Sequence, residues 1–155
     1  MDLDKVIDHV RNRPYMSGIQ RDKLRVKETE ECFTKDWLVQ HICDVCEQND
    51  PEAFTDPDRT FGDTFGVGDG QMLGEVLIRK LQNGIDFEQA LSTLYGVDLM
   101  PDNVKLCQDR LLCGREDLRH IVELNIVCAD SLTYHYRFDG TASDTKEFVL
   151  DEFFS

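Results

Sequence analysis

Long apolar runs are missing from the sequence, which argues against a membrane protein. No segment of the 155 residues approaches the roughly 18 to 20 consecutive apolar positions that a membrane-spanning helix needs. The opening residues, MDLDKVIDHV, are charged and lack the apolar centre of a secretory signal peptide. We therefore expect a soluble, cytoplasmic protein with no membrane partner.

Basic residues are also scarce, which argues against unaided binding to nucleic acid. The chain has 17 lysines and arginines against 31 acidic residues, and its formal net charge is −14. Nucleic-acid binding usually needs a surface of lysine and arginine that releases counterions from the phosphates. The one basic concentration, residues 11–27, is typical of a solvated polar segment, with a phosphate-contacting arm as the alternative interpretation.

Cysteines are too few for a disulfide scaffold. The six cysteines fall within segments of apolar periodicity, which favours reduced and buried thiols. Cys43 and Cys46 form a CxxC pair near His41, but no second pair stands at ligand spacing. Packing of a helix therefore explains this pair better than zinc does, and we expect no metal site.

The apolar residues alternate between helical and strand-like spacing. This spacing predicts helices over residues 4–12, 34–46, 71–81, 86–94 and 101–112, and strands in TFGDTF (60–65), LYGVDLM (94–100) and NIVCA (125–129). Strands that alternate with helices form parallel sheets with right-handed crossovers. The predicted fold class is α/β.

The second of these helices has a strong apolar pattern. Thr34 is placed to cap it, and its predicted inner face consists of Trp37, Leu38, His41, Ile42, Val45 and Cys46. A loop with two prolines and four acidic residues, NDPEAFTDPDR, follows it.

A glycine-rich turn, in TFGDTFGVGDGQML (residues 60–73), joins the first predicted strand to the next helix. Gly66, Gly68 and Gly70 let backbone approach a ligand closely, and the helix N-terminus directs N–H groups toward it. The turn does not end in GK[ST], which excludes a P-loop, and Gln71 stands where a dinucleotide fingerprint has its third glycine. What remains is a GxGxG turn with carboxylates after the second and third strands, Asp98 and Asp130.

The order KETEECFTKDWLV, GDGQML, YGVDLMPDNVKLCQDRL and NIVCADSLTY resembles DNA adenine-N6 methyltransferases, especially the compact phage and restriction–modification types. The resemblance covers roughly residues 24–138. It implies a partial Rossmann-like class I methyltransferase fold, with a parallel sheet of three to four strands flanked by helices. It also implies a cofactor-binding domain over residues 24–155, preceded by a helix and basic segment over residues 1–23, and host cytoplasm as the location of a phage-encoded chain.

The resemblance also implies S-adenosylmethionine as the cofactor and a role for each matching residue. Thr34 would lie against the methionine end, and Asp63 would bind the cofactor together with the turn that follows it (Gly66, Gly68 and Gly70), which would wrap the methionine and sugar. Asp98 would accept hydrogen bonds from the ribose hydroxyls, a role that suits a bidentate acceptor. Leu99 and Met100 would flank the adenine ring, and Asp130 would meet its amino group.

Several residues depart from the family pattern. Lys35 stands where the family usually has proline, and the bulky Phe65 and Val67 lie in the turn, which predicts a narrowed pocket. None of the four prolines is adjacent to another, so the [DNS]PP[YFW] motif that orients the target amino group is missing. The 25 residues after Asp130 are also too few for the remaining strands and a DNA reader. We therefore assign no catalytic residue.

Two aromatic segments leave alternatives open. TYHYRF, residues 133–138, is typical of one face of a strand, and stacking on a nucleobase is its alternative. The acidic tail DEFF, residues 151–154, fits a docking peptide as well as a loosely packed end.

Two hypotheses follow from the sequence. The first is a methyltransferase-like subunit that binds S-adenosylmethionine and depends on a complementary chain for the catalytic loop and the DNA. The second is an acidic phage-type binding protein on a degenerate methyltransferase fold, which engages or inhibits a host nucleic-acid enzyme. Both imply a protein partner, and in both DNA is reached only indirectly.

Overall fold

The computed structural model describes residues 1–12, 35–64 and 66–141. Thr34, Phe65, most of the basic segment and the acidic tail lie outside the described residues, as does Cys32. The expectations placed on them therefore stay predictions, apart from the N-cap of the helix after Thr34, a position that the structure assigns to a described residue.

Helices and strands alternate through the described chain. The helices are α1 (Leu3–Ile7), which continues as a π-helical turn (Asp8–Asn12), α2 (Asp36–Asn49), α3 (Gln71–Gln82), α4 (Phe87–Ser92), α5 (Pro101–Leu112) and α6 (Arg119–Asn125), with a 3₁₀ turn at Glu116–Leu118. The strands are β1 (Phe61–Asp63), β2 (Leu94–Asp98) and β3 (Ile126–Cys128).

The three strands form one parallel sheet in the order β1-β2-β3. Phe61 pairs with Leu94, and Gly96 on the central strand pairs with Ile126. Parallel neighbours require crossover connections, which α3 and α4 supply between β1 and β2, and α5 and α6 between β2 and β3. The predicted α/β class with a three-stranded parallel sheet flanked by helices is confirmed.

Local sequence signals set several helix ends as expected. Asp86 caps α4, because its carboxylate accepts hydrogen bonds from the N–H groups of Glu88 and Gln89. Pro101 occupies the first turn of α5, where its missing N–H leaves no unmade bond. The prediction for α2 was wrong in one respect, since Lys35 and not Thr34 holds the N-cap position, and it makes no side-chain capping bond.

The orientation of α2 is the largest correction. Its buried residues are Val39 and Cys43, whereas Trp37 is 66% exposed, Ile42 42% and Val45 40%. Four of the six residues of the predicted inner face are therefore exposed, whereas Leu38 and Cys46 are half-buried. The prediction was wrong for those four, because the sequence pattern contains two apolar faces on one helix and periodicity alone does not show which of them packs on the core.

The core lies between the sheet and α3, the most buried helix among the described elements. Leu73, Val76 and Leu77 of α3 pack with Leu94 of β2 and Leu111 of α5. A smaller cluster joins Val6 and Val10 of the N-terminal helix to Ile78 on the other side of α3. Within the described ranges, no helix is long and apolar enough to cross a membrane.

Candidate cofactor-binding site

The carboxyl ends of the three strands bring the predicted acidic residues to one edge of the sheet. Asp63 is the last residue of β1, Asp98 is the last of β2, and Asp130 follows β3 by two positions. Ligands of open parallel sheets bind outside this edge, where the loops leave the strands. The structure therefore brings together the carboxylates that the sequence singled out.

The glycine turn needs its glycines for backbone geometry. Gly66, Gly68 and Gly70 have φ angles of 110°, 57° and 86°, a region that side chains other than glycine's rarely adopt. Gly70 is the N-cap of α3, so the turn leads directly into the helix that packs against the sheet. A Cβ on Gly70 would lie 2.8 Å from Cys107 Sγ and 3.1 Å from Cys107 Cα. The turn is thus held tightly against α5.

Val67 does not narrow this edge, and the expectation that it would was wrong. The side chain is 4% exposed and points into the core. A Cβ on Gly96 of β2 would come within 2.8 Å of Val67 Cγ2 and 3.2 Å of Leu73 Cδ1. The N–H of Val67 also donates to the carbonyl of Val97 at 3.1 Å. Val67 therefore anchors the turn to β2.

Asp98 ties the turn to the second strand. One carboxylate oxygen, Oδ2, accepts from the N–H of Gly68 at 2.9 Å, while Oδ1 accepts from the N–H of Met100 at 2.8 Å and from Asn103 Nδ2 at 3.4 Å. The residue is 7% exposed. Because a carboxylate oxygen has two lone pairs, Oδ2 retains acceptor capacity toward the edge beyond its bond to Gly68.

Asp63 has an unusual acidity for an aspartate. Burial and the nearby carboxylate of Asp98 together raise its pKa from 3.8 to about 6. Both effects disfavour the charged form, and burial is the larger. The edge of the sheet therefore holds two acidic groups in a partly dehydrated setting, which favours a cationic ligand.

The remaining predicted site residues are more open to solvent. Leu99 is 63% exposed, and Asp130 is exposed with its Oδ1 accepting from the N–H of Leu132 at 2.9 Å. Cys128, predicted to be a buried thiol, is exposed beside them, and its Sγ donates to the carbonyl of Leu99 at 3.4 Å. Burial, together with the charge of Asp98, raises the pKa of this thiol. The other described cysteines are buried or half-buried, as expected.

The segment TYHYRF is an aromatic cluster and not a strand, so the strand interpretation was wrong. Tyr136 and Phe138 have φ angles of 54° and 50°, which extended backbone does not allow. The ring of Tyr134, 8% exposed, packs edge-on against both at 5.3 and 5.4 Å, and Phe138 also contacts Tyr95 of β2 at 4.9 Å. The cluster therefore covers β2 after the chain leaves β3.

Sequence reasoning missed a set of buried charges beside the turn. Asp69, between two of the glycines, is 1% exposed and pairs with the buried Arg110 of α5 at 3.3 Å. Glu75 of α3, 3% exposed, accepts two hydrogen bonds from Arg11 at 2.7 and 3.0 Å and one from Arg79 at 3.2 Å. The feature of the sequence that could have indicated these buried charges is Asp69, an acidic residue between two glycines of the turn. These pairs fix the N-terminal half of α3 and hence the turn.

The described residues contain no cluster of three or more histidine, cysteine or acidic side chains able to hold a metal ion. Comparison of the chain with protein-family models, curated proteins and solved structures finds no match. The functional argument therefore depends on the geometry of the sheet edge and on the sequence motifs.

Proposed function

We propose that the protein is a methyltransferase-like subunit that binds S-adenosylmethionine at the carboxyl edge of its sheet and needs another chain for methyl transfer. The observation that carries the proposal is the hydrogen bond between Gly68 and Asp98. It joins a glycine turn after β1 to a carboxylate at the end of β2. This arrangement, a close backbone approach beside an acceptor for hydroxyl groups, suits the methionine and ribose parts of one ligand.

Charge supports this choice of ligand over a nucleotide. A phosphate placed near Asp63 and Asp98 would meet two carboxylates, and within the described part of the chain no lysine or arginine forms an ion pair with either group. S-adenosylmethionine carries a sulfonium and an ammonium against a single carboxylate, so its net charge is positive. Opposite charges attract more strongly in a partly buried site than in bulk water.

The residues present fit the cofactor as follows. The backbone of Gly66 and Gly68 would lie against the methionine and sugar, and Oδ2 of Asp98 would accept from the ribose. The exposed side chain of Leu99 would cover the adenine ring, with Asp130 as acceptor for its amino group. When bound, the cofactor supplies an electrophilic methyl group, and the chain's own part is to bind and orient it.

The sequence supports a second chain that would carry out the catalytic step and bind the DNA, while this chain binds the cofactor. Its four prolines are isolated, so no PP motif is available to orient a target amino group. The net charge of −14 also opposes approach to DNA. A complementary methyltransferase subunit would therefore contribute the catalytic loop and the DNA contacts.

Calorimetric titration with S-adenosylmethionine and S-adenosylhomocysteine tests the proposal. We expect binding of both, with S-adenosylmethionine tighter by about tenfold because it has one more positive charge. Raising the pH through about 6 should strengthen S-adenosylmethionine binding, because Asp63 then loses its proton. Asp130→Asn and Leu99→Ser should weaken binding, whereas Glu123→Gln, a surface change on α6, should not.

Asp98→Ala is an unsuitable first variant, because Asp98 also holds the turn through Gly68 and Met100. Absence of heat and of thermal stabilisation with both ligands at pH 7 would refute cofactor binding. Methyl transfer to DNA by the isolated chain would refute the need for a partner.

The net charge favours a second candidate function, an acidic binding protein that engages or inhibits a host nucleic-acid enzyme through a surface resembling the charge of DNA. Such a protein would keep the fold without the ligand. Two results together would favour this second function: neither ligand binds in the titrations, and the protein competes with DNA for binding to a DNA-binding enzyme.

A further inference from the structure

Helix α2 carries an apolar surface that lies outside the core formed by the described residues. Trp37, Ile42 and Val45, with His41 between them, form what we term the outer stripe. Residues four apart on a helix share a face, so Trp37, His41 and Val45 are aligned along it. The opposite face, with Val39 and Cys43, packs toward α3. The outer stripe is therefore a second apolar face without a role in the core.

The outer stripe has more exposed apolar side chains close together than an ordinary protein surface has. Single exposed apolar side chains are normal, but contiguous ones mark interaction sites. Trp37 is 66% exposed, with Ile42 at 42% and Val45 at 40% on the same helix. Tryptophan is also the residue type most enriched among those that dominate binding energy at interfaces.

The charge around the stripe selects the kind of partner. Residues 36–58, which form α2 and the turns after it, contain seven acidic residues and no lysine or arginine, and the exposed Lys35 directly precedes them at the N-cap of α2. Two arginines from outside this range compensate part of that charge: Arg79 pairs with Asp44 and Glu47, and Arg59 pairs with Asp50 and Asp56. The surface next to the stripe stays acidic, and the whole chain carries −14.

We propose that the outer stripe docks an amphipathic helix of another protein, with apolar residues on one face and lysines or arginines beside them. Apolar anchors on a helix pack against an exposed apolar face, and flanking charges set the choice of partner. A second copy of this chain is disfavoured, because two molecules of charge −14 repel each other. An anionic membrane surface is disfavoured for the same reason.

Trp37 makes the test direct, because it is the single tryptophan of the chain. The probe is a synthetic leucine–lysine helix of about 18 residues, or five turns, without aromatic residues. We expect the protein alone to emit at the wavelength of a solvated indole and to be quenched by acrylamide. Adding the probe should shift the emission to the blue, protect it from quenching, and do so less at high salt.

Matched variants separate the stripe from general attraction to an acidic protein. Ile42→Ser with Val45→Ser should weaken probe binding at least about tenfold, as expected for loss of central apolar contacts. Leu124→Ser with Leu132→Ser removes two exposed leucines elsewhere and should leave binding unchanged. Circular dichroism establishes that each pair folds. A leucine–glutamate probe of the same pattern should not bind.

Four results would overturn the proposal. The first is equal binding of the probe to both serine pairs, and the second is equal binding of the two probes. The third is emission from the protein alone that shifts to the blue with rising protein concentration, which would identify a second copy as the occupant. The fourth is blue, unquenched emission at every concentration, which would show that the chain covers its own stripe. Cofactor binding at the sheet edge is measured separately, so either proposal can fail without the other.

Discussion

Among single residues, Asp63 carries a carboxyl group whose charged form destabilises the folded protein. Its pKa of about 6 exceeds the ordinary value of 3.8, so the folded protein binds this proton more tightly than the unfolded chain does. This contribution to stability is therefore greatest near pH 4 and is lost as the pH rises through 6. Charge and burial at Asp63 oppose folding at neutral pH.

Asp63→Asn should accordingly stabilise the protein at pH 7, by on the order of 1 to 2 kcal/mol, and have little effect near pH 4. Urea unfolding of the parent and the variant at both pH values measures the difference. Glu123→Gln removes an exposed charge and serves as the control. A destabilised Asp63→Asn variant at pH 7 would show that the charged form has a stabilising partner.

Two glycines with nearly the same backbone geometry allow the energetic penalty of the backbone conformation to be measured apart from that of packing. Gly70 and Gly84 have φ angles of 86° and 84°, but only the site of a Cβ on Gly70 is occupied, by Cys107, whereas nothing lies within 4 Å at Gly84. Gly84→Ala should therefore cost about 1 kcal/mol, the backbone penalty alone. Gly70→Ala should cost roughly 3 kcal/mol or more, because overpacking adds to it. Equal losses in thermal unfolding would contradict the close approach of the turn to α5.

Among the elements, α3 is linked to the starts of two strands by a buried lysine, Lys80, which the apolar pattern of the helix does not predict. Lys80 is fully buried, and its Nζ donates to the carbonyl of Arg59 at 2.5 Å and to Thr93 Oγ1 at 2.7 Å. Arg59 stands just before β1, and Thr93 just before β2. Burial lowers the pKa of Lys80. One side chain thus fixes where both strands start.

Lys80→Met should destabilise the protein by roughly 1 to 3 kcal/mol, because it leaves two buried acceptors without their donor while keeping the side-chain volume. Lys105→Met on α5 is the matched control, since that lysine is mostly exposed and its ion pair, with Asp109 at 3.4 Å, lies at the surface. Its effect should stay within about 0.5 kcal/mol. Chemical denaturation of the two variants gives the comparison, and a neutral Lys80→Met would show that its hydrogen bonds contribute nothing net.

The sequence predicted most elements because their signals were local. Pro101 and Asp86 mark helix starts, and the glycines of the turn allow no regular structure between β1 and α3. The face of α2 was not predictable in this way, because periodicity shows that a face is apolar and not which neighbour covers it. The segment at Tyr136 also alternates like a strand, yet Tyr136 has a positive φ and its ring packs on Tyr134 and Phe138, the latter of which contacts the distant Tyr95.

The candidate site was predictable to a similar extent. That strand ends bring Asp63, Asp98 and Asp130 to one edge follows from parallel topology. That Val67 turns inward does not, because it depends on the space that Gly96 leaves on the neighbouring strand. The pairing of Asp69 with Arg110 likewise joins residues whose proximity only the folded core creates.

For the whole molecule, the excess of acidic residues opposes compactness. A net charge of −14 produces self-repulsion, which salt screens over about 10 Å at 0.1 M. Raising sodium chloride from about 0.01 to 0.15 M at pH 7 should therefore raise the melting temperature by a few degrees. Differential scanning calorimetry measures the shift. A fall in melting temperature would show that local ion pairs, such as those of Arg79 and Arg119, outweigh the repulsion.

The register of the parallel sheet also governs how quickly the chain can reach its fold. The ladder partners, Phe61 with Leu94 and Gly96 with Ile126, are separated by about 30 positions along the chain. Closing such loops costs entropy before any strand contact compensates for it. We therefore expect the sheet to form late, after the intervening helices have shortened each connection. During synthesis, β2 would then have one unpaired edge until β3 has been made.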